Sequence, residues 1–310
     1  MSAACSDAEF IQSFNTIGPE GTAKKYGIAL TNVYARRRRV EKRYGTQLTP
    51  PSRVHLESKY PGRLQNDVKD GVVLIGSDFH IWPGQESLAL RIFKKFVNDL
   101  RPDVVILNGD VLDFPQISRH HPISWEGMPS PQQEIEAAQD HLHDIAKAAK
   151  KARKIWTLGN HDSRFETRLA TVASEYKGIK GIHLSDHFAL WEKGWAAWIN
   201  NDVVAKHRFK GGIHATHNNT LWSGKTLITG HLHSAKVTPL TDYNGTRWGV
   251  DTGCVAETRG KQFEYTEDNP LNWISAFGVL TFKDGRLLPP ELVTKFDDEC
   301  MTWRGVLIKP

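Results

Sequence analysis

The chain has 310 residues, 39% of them hydrophobic and 24% charged, with a formal net charge of +5. That balance suits a globular protein able to bury a large core. No window approaches the ~18 consecutive apolar residues of a membrane span, and there is no solenoid-period repeat or long low-complexity tract, so no membrane partner is expected.

The N-terminus lacks the basic and apolar regions of a signal peptide. Cys5, Cys254 and Cys300 cannot all pair with one another and lie too far apart for a zinc module, which fits a reducing, cytoplasmic setting. Charge is unevenly spread. Residues 1–45 hold eight Lys/Arg against four acids, so a polyanionic partner is sought first there.

Residues 7–44 read as three short helices. Asp7 is positioned to cap the first, on which Phe10, Ile11 and Phe14 recur at helical spacing. Gly18-Pro19-Glu20 starts the second, which ends at Gly27. A third begins near Thr31 as its cap and runs to Tyr44-Gly45. Ala23, Gly27 and Val33 match the close-contact alanine, turn glycine and core aliphatic of helix-turn-helix units, which this segment resembles. On the third helix Arg36, Arg37, Arg38 and Arg39 fan through about 300° of surface, with Arg43 further on. Leu30, Val33 and Val40 are expected to pack inward. Nucleic acid, DNA first, is the expected partner; a solvated helix or protein-docking arm is the alternative. No particular protein partner is indicated.

Residues 46–70, with Pro50-Pro51 and Pro61-Gly62, read as a linker merging into an edge hairpin, with a short strand within 63–68. From residue 71 to 310 a larger domain alternates strand and helix. Val72–Ile75 and Val104–Leu107 are apolar, β-branched runs typical of buried parallel strands. A helix stripe follows over 86–100, and another carries Ile135, Ala138, Leu142, Ile145 and Ala149, with His141 and His143 solvated beside it. His120-His121 lies in the loop between them. Further strands are expected at 155–158, 202–206 and 226–229. The Trp-rich stretch 191–199 is expected in the core. Strands at 247–250, 273–282 and 287–294, the last two joined by a Lys283-Asp284-Gly285 turn, suggest a second, more antiparallel sheet.

Five strand ends carry polar groups of one kind: Asp78 and His80, Asp110 and Asp113, Asn160 and His161, His207, and His231 and His233. Oxygen and imidazole donors converging on one sheet edge suit hard-to-borderline divalent cations. The lone histidine is read as His207, which ends a strand, with His214 and His217 as alternatives. His217, Asn218 and Asn219 are also candidates for substrate contact. Arg164 is a candidate for phosphate oxygens, and Arg168, one turn on, either joins it or faces solvent.

The D-x-H, G-D-x-x-D, G-N-H-D, lone His and G-H-x-H motifs, in that order, resemble the calcineurin-like metallophosphoesterase superfamily over residues 72 to about 255. Asp251-Thr-Gly-Cys254 resembles the family's closing turn, imperfectly. The resemblance implies an α/β fold of two stacked mixed β-sheets flanked by helices, here with a small N-terminal helical module. It implies Asp78, His80 and His233 on one divalent ion, Asn160, His207 and His231 on a second, and Asp110 between them. His161 would protonate the leaving oxygen, supported by Asp113 or Asp162. Mn²⁺ is the expected metal, with Fe²⁺, Zn²⁺ or Mg²⁺ open.

Two such ions need a shared anionic ligand, acidify a bridging water and clamp an in-line phosphoryl displacement, so no serine or cysteine nucleophile is required. The expected activity is phosphodiester hydrolysis on DNA. The alternatives are a phosphomonoesterase or small-diester hydrolase localised by its basic arm, or a DNA-binding scaffold with an idle metal site.

Overall fold

The computed structural model describes residues 5–48, 60–119 and 127–310, so Pro50-Pro51 and the His120-His121 loop lie outside the described residues. The chain divides into two compact units, Met1–Lys59 and Tyr60–Pro310.

The first unit holds α1 (Asp7–Tyr26) and α2 (Leu30–Tyr44). Two of the three expected helices run on as α1, broken only at Gly18, whose φ of 73° no helical residue adopts. Ser6 rather than Asp7 is the N-cap, in a capping box with Glu9. No side chain caps α2, and Thr31 falls inside it. Gly27 turns the chain at φ 63° between them. Phe10, Phe14, Val33 and Val40 form the core, whereas Leu30 is largely exposed, against expectation.

The basic residues divide by function. Arg36 donates to the Cys5 carbonyl at 2.7 Å and to Asp7 at 3.0 Å, and lies over the Phe10 ring. Arg37 pairs with Glu41 at 2.8 Å, and Arg43 with Asp7 at 2.8 Å. The Arg36 hydrogen bond, with Arg43 beside it, holds the Asp7 carboxyl below its usual range. Arg38 and Arg39 are exposed and unpaired among the described residues.

The second unit builds two sheets from, in chain order, β1 (Leu64–Asn66), β2 (Gly71–Gly76), α3 (Leu88–Leu100), β3 (Val104–Leu107), α4 (Pro131–Ala148), β4 (Arg153–Thr157), α5 (Asp162–Val172), α6 (Leu184–His187), β5 (Glu192–Gly194), β6 (Ala197–Ile199), β7 (Val203–Ala205), α7 (Ala215–Ser223), β8 (Thr226–Thr229), β9 (Lys236–Asp242), β10 (Gly245–Asp251), β11 (Ala276–Lys283), β12 (Arg286–Leu287), β13 (Glu291–Lys295), β14 (Met301–Trp303) and β15 (Val306–Ile308). One sheet runs β1-β6-β7-β8-β10-β9 and the other β15-β14-β13-β11-β2-β3-β4-β5, with β12 on β11. β2, β3, β4 and β5 are mutually parallel, as are β7, β8 and β10.

Period-two alternation explains the continuous apolar strands. Val73, Ile75, Val104, Ile106 and Ile155 face a core shared with Ile199, Val203, Ile228 and Val250 of the other sheet. Leu74, Val105, Leu107 and Trp156 face the opposite way, onto Phe93, Val97, Leu142 and Ile145 of α3 and α4.

Three expectations are corrected here. The tail strands do not make a sheet of their own: β10 joins the first sheet, while β11 pairs antiparallel with β2 and extends the second. The Trp-rich stretch contributes β5 and β6, with Trp191 buried but Trp195 exposed. His141 is not solvated: it is half-buried, 3.0 Å from the Lys94 ammonium. The expected hairpin turn is present, with Asp284 and Gly285 both at positive φ between β11 and β12, the backbone of a type I′ turn. β1 pairs with β6, so residues from Tyr60 onward belong to the second unit. No helix among the described residues is long and apolar enough to cross a membrane.

Candidate metal centre

The parallel strands deliver their C-terminal ends to one place. The loop after β2 continues its pairing with the loop after β3: Asp78, His80 and Ile81 N–H groups donate to the Gly109, Asp110 and Val111 carbonyls at 2.9–3.0 Å. From the far side, the Val255 and Ala256 N–H groups donate to the Ser77 and Asp78 carbonyls. Held between these partners, Asp78, His80 and Asp110 take φ of 55°, 38° and 49°, and His231 and His233 take 71° and 56°. Each left-handed non-glycine residue costs about 1–2 kcal/mol, strain that concentrates where side-chain direction matters.

The glycines before the ligands follow from close approach. A Cβ on Gly109, itself at φ 83°, would lie 2.4 Å from the His207 ring, and one on Gly159 would lie 2.1 Å from the Asp110 carboxylate. Only glycine lets these loops nest.

The side chains converge in three groups whose donor atoms lie within 4.8 Å of one another: Asp78, His80 and His233; His80, Asp113 and His161; Asp110, His207 and His231. The groups adjoin. His233 Nε2 is 3.0 Å and His207 Nε2 3.9 Å from Asp78 Oδ1, while His207 Nε2 is also 3.0 Å from Asp110 Oδ2. Asp78, Asp110 and His207 are almost completely buried.

The tautomers are set from behind. His207 Nδ1 donates to the Asn108 carbonyl at 2.8 Å and His80 Nδ1 to Asp113 at 3.1 Å, so both Nε2 lone pairs face the site. His80 Nε2 and Asn160 Oδ1 are buried without a hydrogen-bond partner among the described residues, while buried His207 Nε2 faces the Asp110 carboxylate. Such orphaned atoms beside buried carboxylates are what a cation site requires, so these residues fit divalent metal ions. Without metal, protons take their place. Burial alone would lower the His80 imidazole, but Asp113 and Asp78 raise it to about 10; likewise Asp110 and Asp78 overcome burial and lift His207 to about 9. Burial opposes ionisation of Asp78 and Asp110, yet the histidines hold both carboxyls below the usual range.

His161, at the start of α5, faces Asp113: Nδ1 lies 2.5 Å from Asp113 Oδ1. Asp162 does not support His161. Its carboxylate accepts from the N–H groups of Asp110, Val111, Leu112 and Gly159 and from Trp156 Nε1, and so fastens the Asp110 loop to β4. Burial first and Asp110 second raise its pKa. Arg164 donates to the Asp113 carbonyl at 2.8 Å and lies 3.2 Å from His161 Nε2. Arg168 is exposed. His214 and His217 join none of the three groups; His217 and Asn218 sit side by side on α7, and Asn219 is buried against the Lys210 backbone.

Sequence reasoning missed two supports. Glu134 is fully buried and accepts from the Asp113 and Phe114 N–H groups; its position on the apolar stripe of α4, four residues before Ala138, was the available signal. Phe263 and Trp273 wall the site, 5.0 Å from the His80 ring and 4.4 Å from the His233 ring. Phe263 stands on a short 3₁₀ helix (Lys261–Thr266), too short for periodicity to register, and Trp273, expected in a strand, lies just before β11.

The chain also has relatives among known proteins. The chain is 27% identical over 258 residues to the Gene 54 protein of Mycobacterium phage D29 and 24% identical over 252 residues to that of phage L5, in each case 71% of this chain and 92% of the relative. Among solved structures, a phosphoesterase from E. coli shows 14% identity and a TM-score of 0.33, covering 71% of this chain and 97% of its own. A dimetal phosphatase from Danio rerio shows 10% identity and a TM-score of 0.37, covering 74% and 96%. The model of the calcineurin-like phosphoesterase family matches residues 71–278, well over half the chain and every strand end described above. The chain belongs to the calcineurin-like phosphoesterase family.

Proposed function

We propose that the protein is a two-metal phosphodiesterase that cleaves nucleic acid, DNA in the first instance, and that its first unit contacts the same polyanion. The observation that carries the two-metal reading is the set of buried donor atoms on His80, His207 and Asn160 around the Asp78 and Asp110 carboxylates, those of His80 and Asn160 without a hydrogen-bond partner among the described residues. In this reading Asp78, His80 and His233 would hold one ion and Asn160, His207 and His231 the other, with Asp110 available to both. Two divalent ions supply charge neutralisation at phosphorus and an activated water. Mn²⁺ suits this mixed oxygen and imidazole set, as do Fe²⁺ and Zn²⁺.

The chain's own groups do the rest. Asp113 holds the His161 ring by Nδ1, so that Nε2, which faces the Arg164 guanidinium in the free protein, would protonate a departing alkoxide once that guanidinium turns to the substrate. Arg164, anchored on the Asp113 carbonyl, presents its guanidinium beside that nitrogen, where it meets a phosphate oxygen. Asp162 keeps the Asp110 loop in register.

Support for a nucleic acid comes from the excess basic charge of residues 1–45. Within it Arg38 and Arg39 supply the free contacts, since Arg36, Arg37 and Arg43 already pair within the unit. The test is cleavage of single- and double-stranded DNA by the purified full chain with Mn²⁺, beside p-nitrophenyl phosphate. Robust monoester hydrolysis with no cleavage of any polynucleotide would overturn the reading.

A further inference from the structure

A cavity of about 430 Å³ shares Asn160 with the metal centre, and its walls carry Arg119, Arg164, Arg168 and Arg208. Among the described residues no lining residue is acidic; the rest are serines, threonines and one isoleucine. Arg164 is tied to the Asp113 carbonyl. Arg119, Arg168 and Arg208 are exposed and form no ion pair among the described residues. The four come from separate places: the segment after β3, two turns of α5, and the residue next to His207 at the end of β7. Like charges brought together from three parts of a fold repel unless an anion neutralises them. Guanidinium groups, with planar forks of donors, match carboxylate and phosphate oxygens alike, and the adjoining phosphoester site favours phosphate.

Across the centre, Phe263 and Trp273 pack on His80 and His233, and Tyr265 beside Phe263 is half-exposed. Single strands are held by exposed aromatic faces that stack bases together with basic groups that pair phosphates; Phe263 is buried, so half-exposed Tyr265 and part-exposed Trp273 offer such faces here. A simple phosphomonoester has one phosphate, which the metal centre itself would take, leaving the arginines uncompensated. A strand brings a second phosphate on the same molecule.

Resting on the phosphodiesterase reading above, we propose that this arginine cavity holds the phosphate adjacent to the scissile one in a single nucleic-acid strand. The protein therefore prefers an internal phosphodiester to an isolated phosphate. The cavity sets how the strand lies across the centre, with the scissile group beside Asn160 and the next phosphate among the guanidinium groups.

The experiment follows hydrolysis of bis(p-nitrophenyl) phosphate by the full chain with Mn²⁺, using d(TpTpT) or thymidine 5′-monophosphate as competitor. The wild type is expected to bind the trinucleotide at least about tenfold more tightly than the monophosphate, as one charge-assisted hydrogen-bonded contact supplies. R168A/R208A, and independently R119A, are expected to reduce that ratio by about tenfold, with partial recovery in R168K/R208K. All three positions are exposed, and the thermal midpoint of each variant checks its fold. Equal competition by the two ligands in the wild type, or a ratio the variants leave unchanged, overturns the proposal. The two readings fail separately. A trinucleotide that competes through the arginines while no DNA is cleaved rejects DNA cleavage alone. DNA cleavage with an unchanged ratio rejects the cavity alone.

Discussion

Asp162→Asn probes the device that positions Asp110. The Asp162 carboxylate accepts five donors: Val111 and Leu112 N–H on one oxygen, Asp110 N–H, Gly159 N–H and Trp156 Nε1 on the other, with Leu112 at 3.2 Å and the rest at 2.9 Å. Asparagine keeps the shape but turns one oxygen into a donor. Whichever way the amide sits, at least two buried N–H groups then face an NH₂ group. Each unsatisfied buried donor costs about 1–3 kcal/mol. Removing the Asp162 charge also relieves repulsion with Asp110, so the lower part of that range applies. The net loss is about 3 kcal/mol, which for a unit of this size lowers the midpoint by about 10 °C. Displacing Asp110 by even ~1 Å should also cut phosphodiester hydrolysis by about a hundredfold. Circular dichroism melts of the full chain, resolving the transition of the second unit, and turnover of bis(p-nitrophenyl) phosphate read the two effects. An Asn variant within about 1 kcal/mol of wild type and fully active would refute the reasoning, because the five-fold acceptor would then not be what holds the loop.

Glu134 predicts a pH effect. Burial pushes its carboxyl up from 4.5 to about 8, with the Asp113 charge adding to the rise and the Phe114 N–H opposing it. The folded state therefore keeps a proton that the unfolded chain has released, and stability should fall as pH rises from about 4.5 to about 8, by at most about 5 kcal/mol. In metal-free protein Glu134→Gln should flatten that slope and melt above wild type at pH 8.5; an unchanged slope would contradict it. Gly109→Ala drives a Cβ into the His207 ring at 2.4 Å; calorimetric titration with Mn²⁺ should show affinity weakened at least about tenfold, and wild-type affinity would refute the nesting of these loops. Arg38→Ala with Arg39→Ala should lower the salt slope of DNA binding by about 0.9 for each phosphate no longer neutralised, leaving the melting midpoint unchanged; a lower midpoint with an unchanged slope would make these arginines structural.

What was legible in the sequence was local. Every ligand but His207 stands within a few residues of a glycine at the end of an apolar strand, so Asp78, Asp110, Asn160 and His231 could be found without knowing how the strands pair. What was hidden depends on partners distant in the chain. Arg36 reads as a free cation until Asp7, twenty-nine residues earlier, closes on it. β11 looked like the start of a separate sheet because nothing in its own residues says that β2 is its neighbour. β5 and β6 are three residues each, too short for alternation to register. Asp162 stands next to His161 and reads in sequence as its support, but the start of α5 turns its carboxylate back under the Asp110 loop. Arg119 and Arg208 join one cavity only through the fold.

The most direct test of the account counts metal and follows one diester in the full chain. Purified protein equilibrated with Mn²⁺ and desalted should carry about two ions per chain by mass spectrometry and hydrolyse bis(p-nitrophenyl) phosphate. Asp110→Asn should hold fewer ions and lose at least about a hundredfold in turnover, with chelation abolishing activity in both proteins. Hydrolysis that survives both chelation and Asp110→Asn would contradict the metal-centred mechanism.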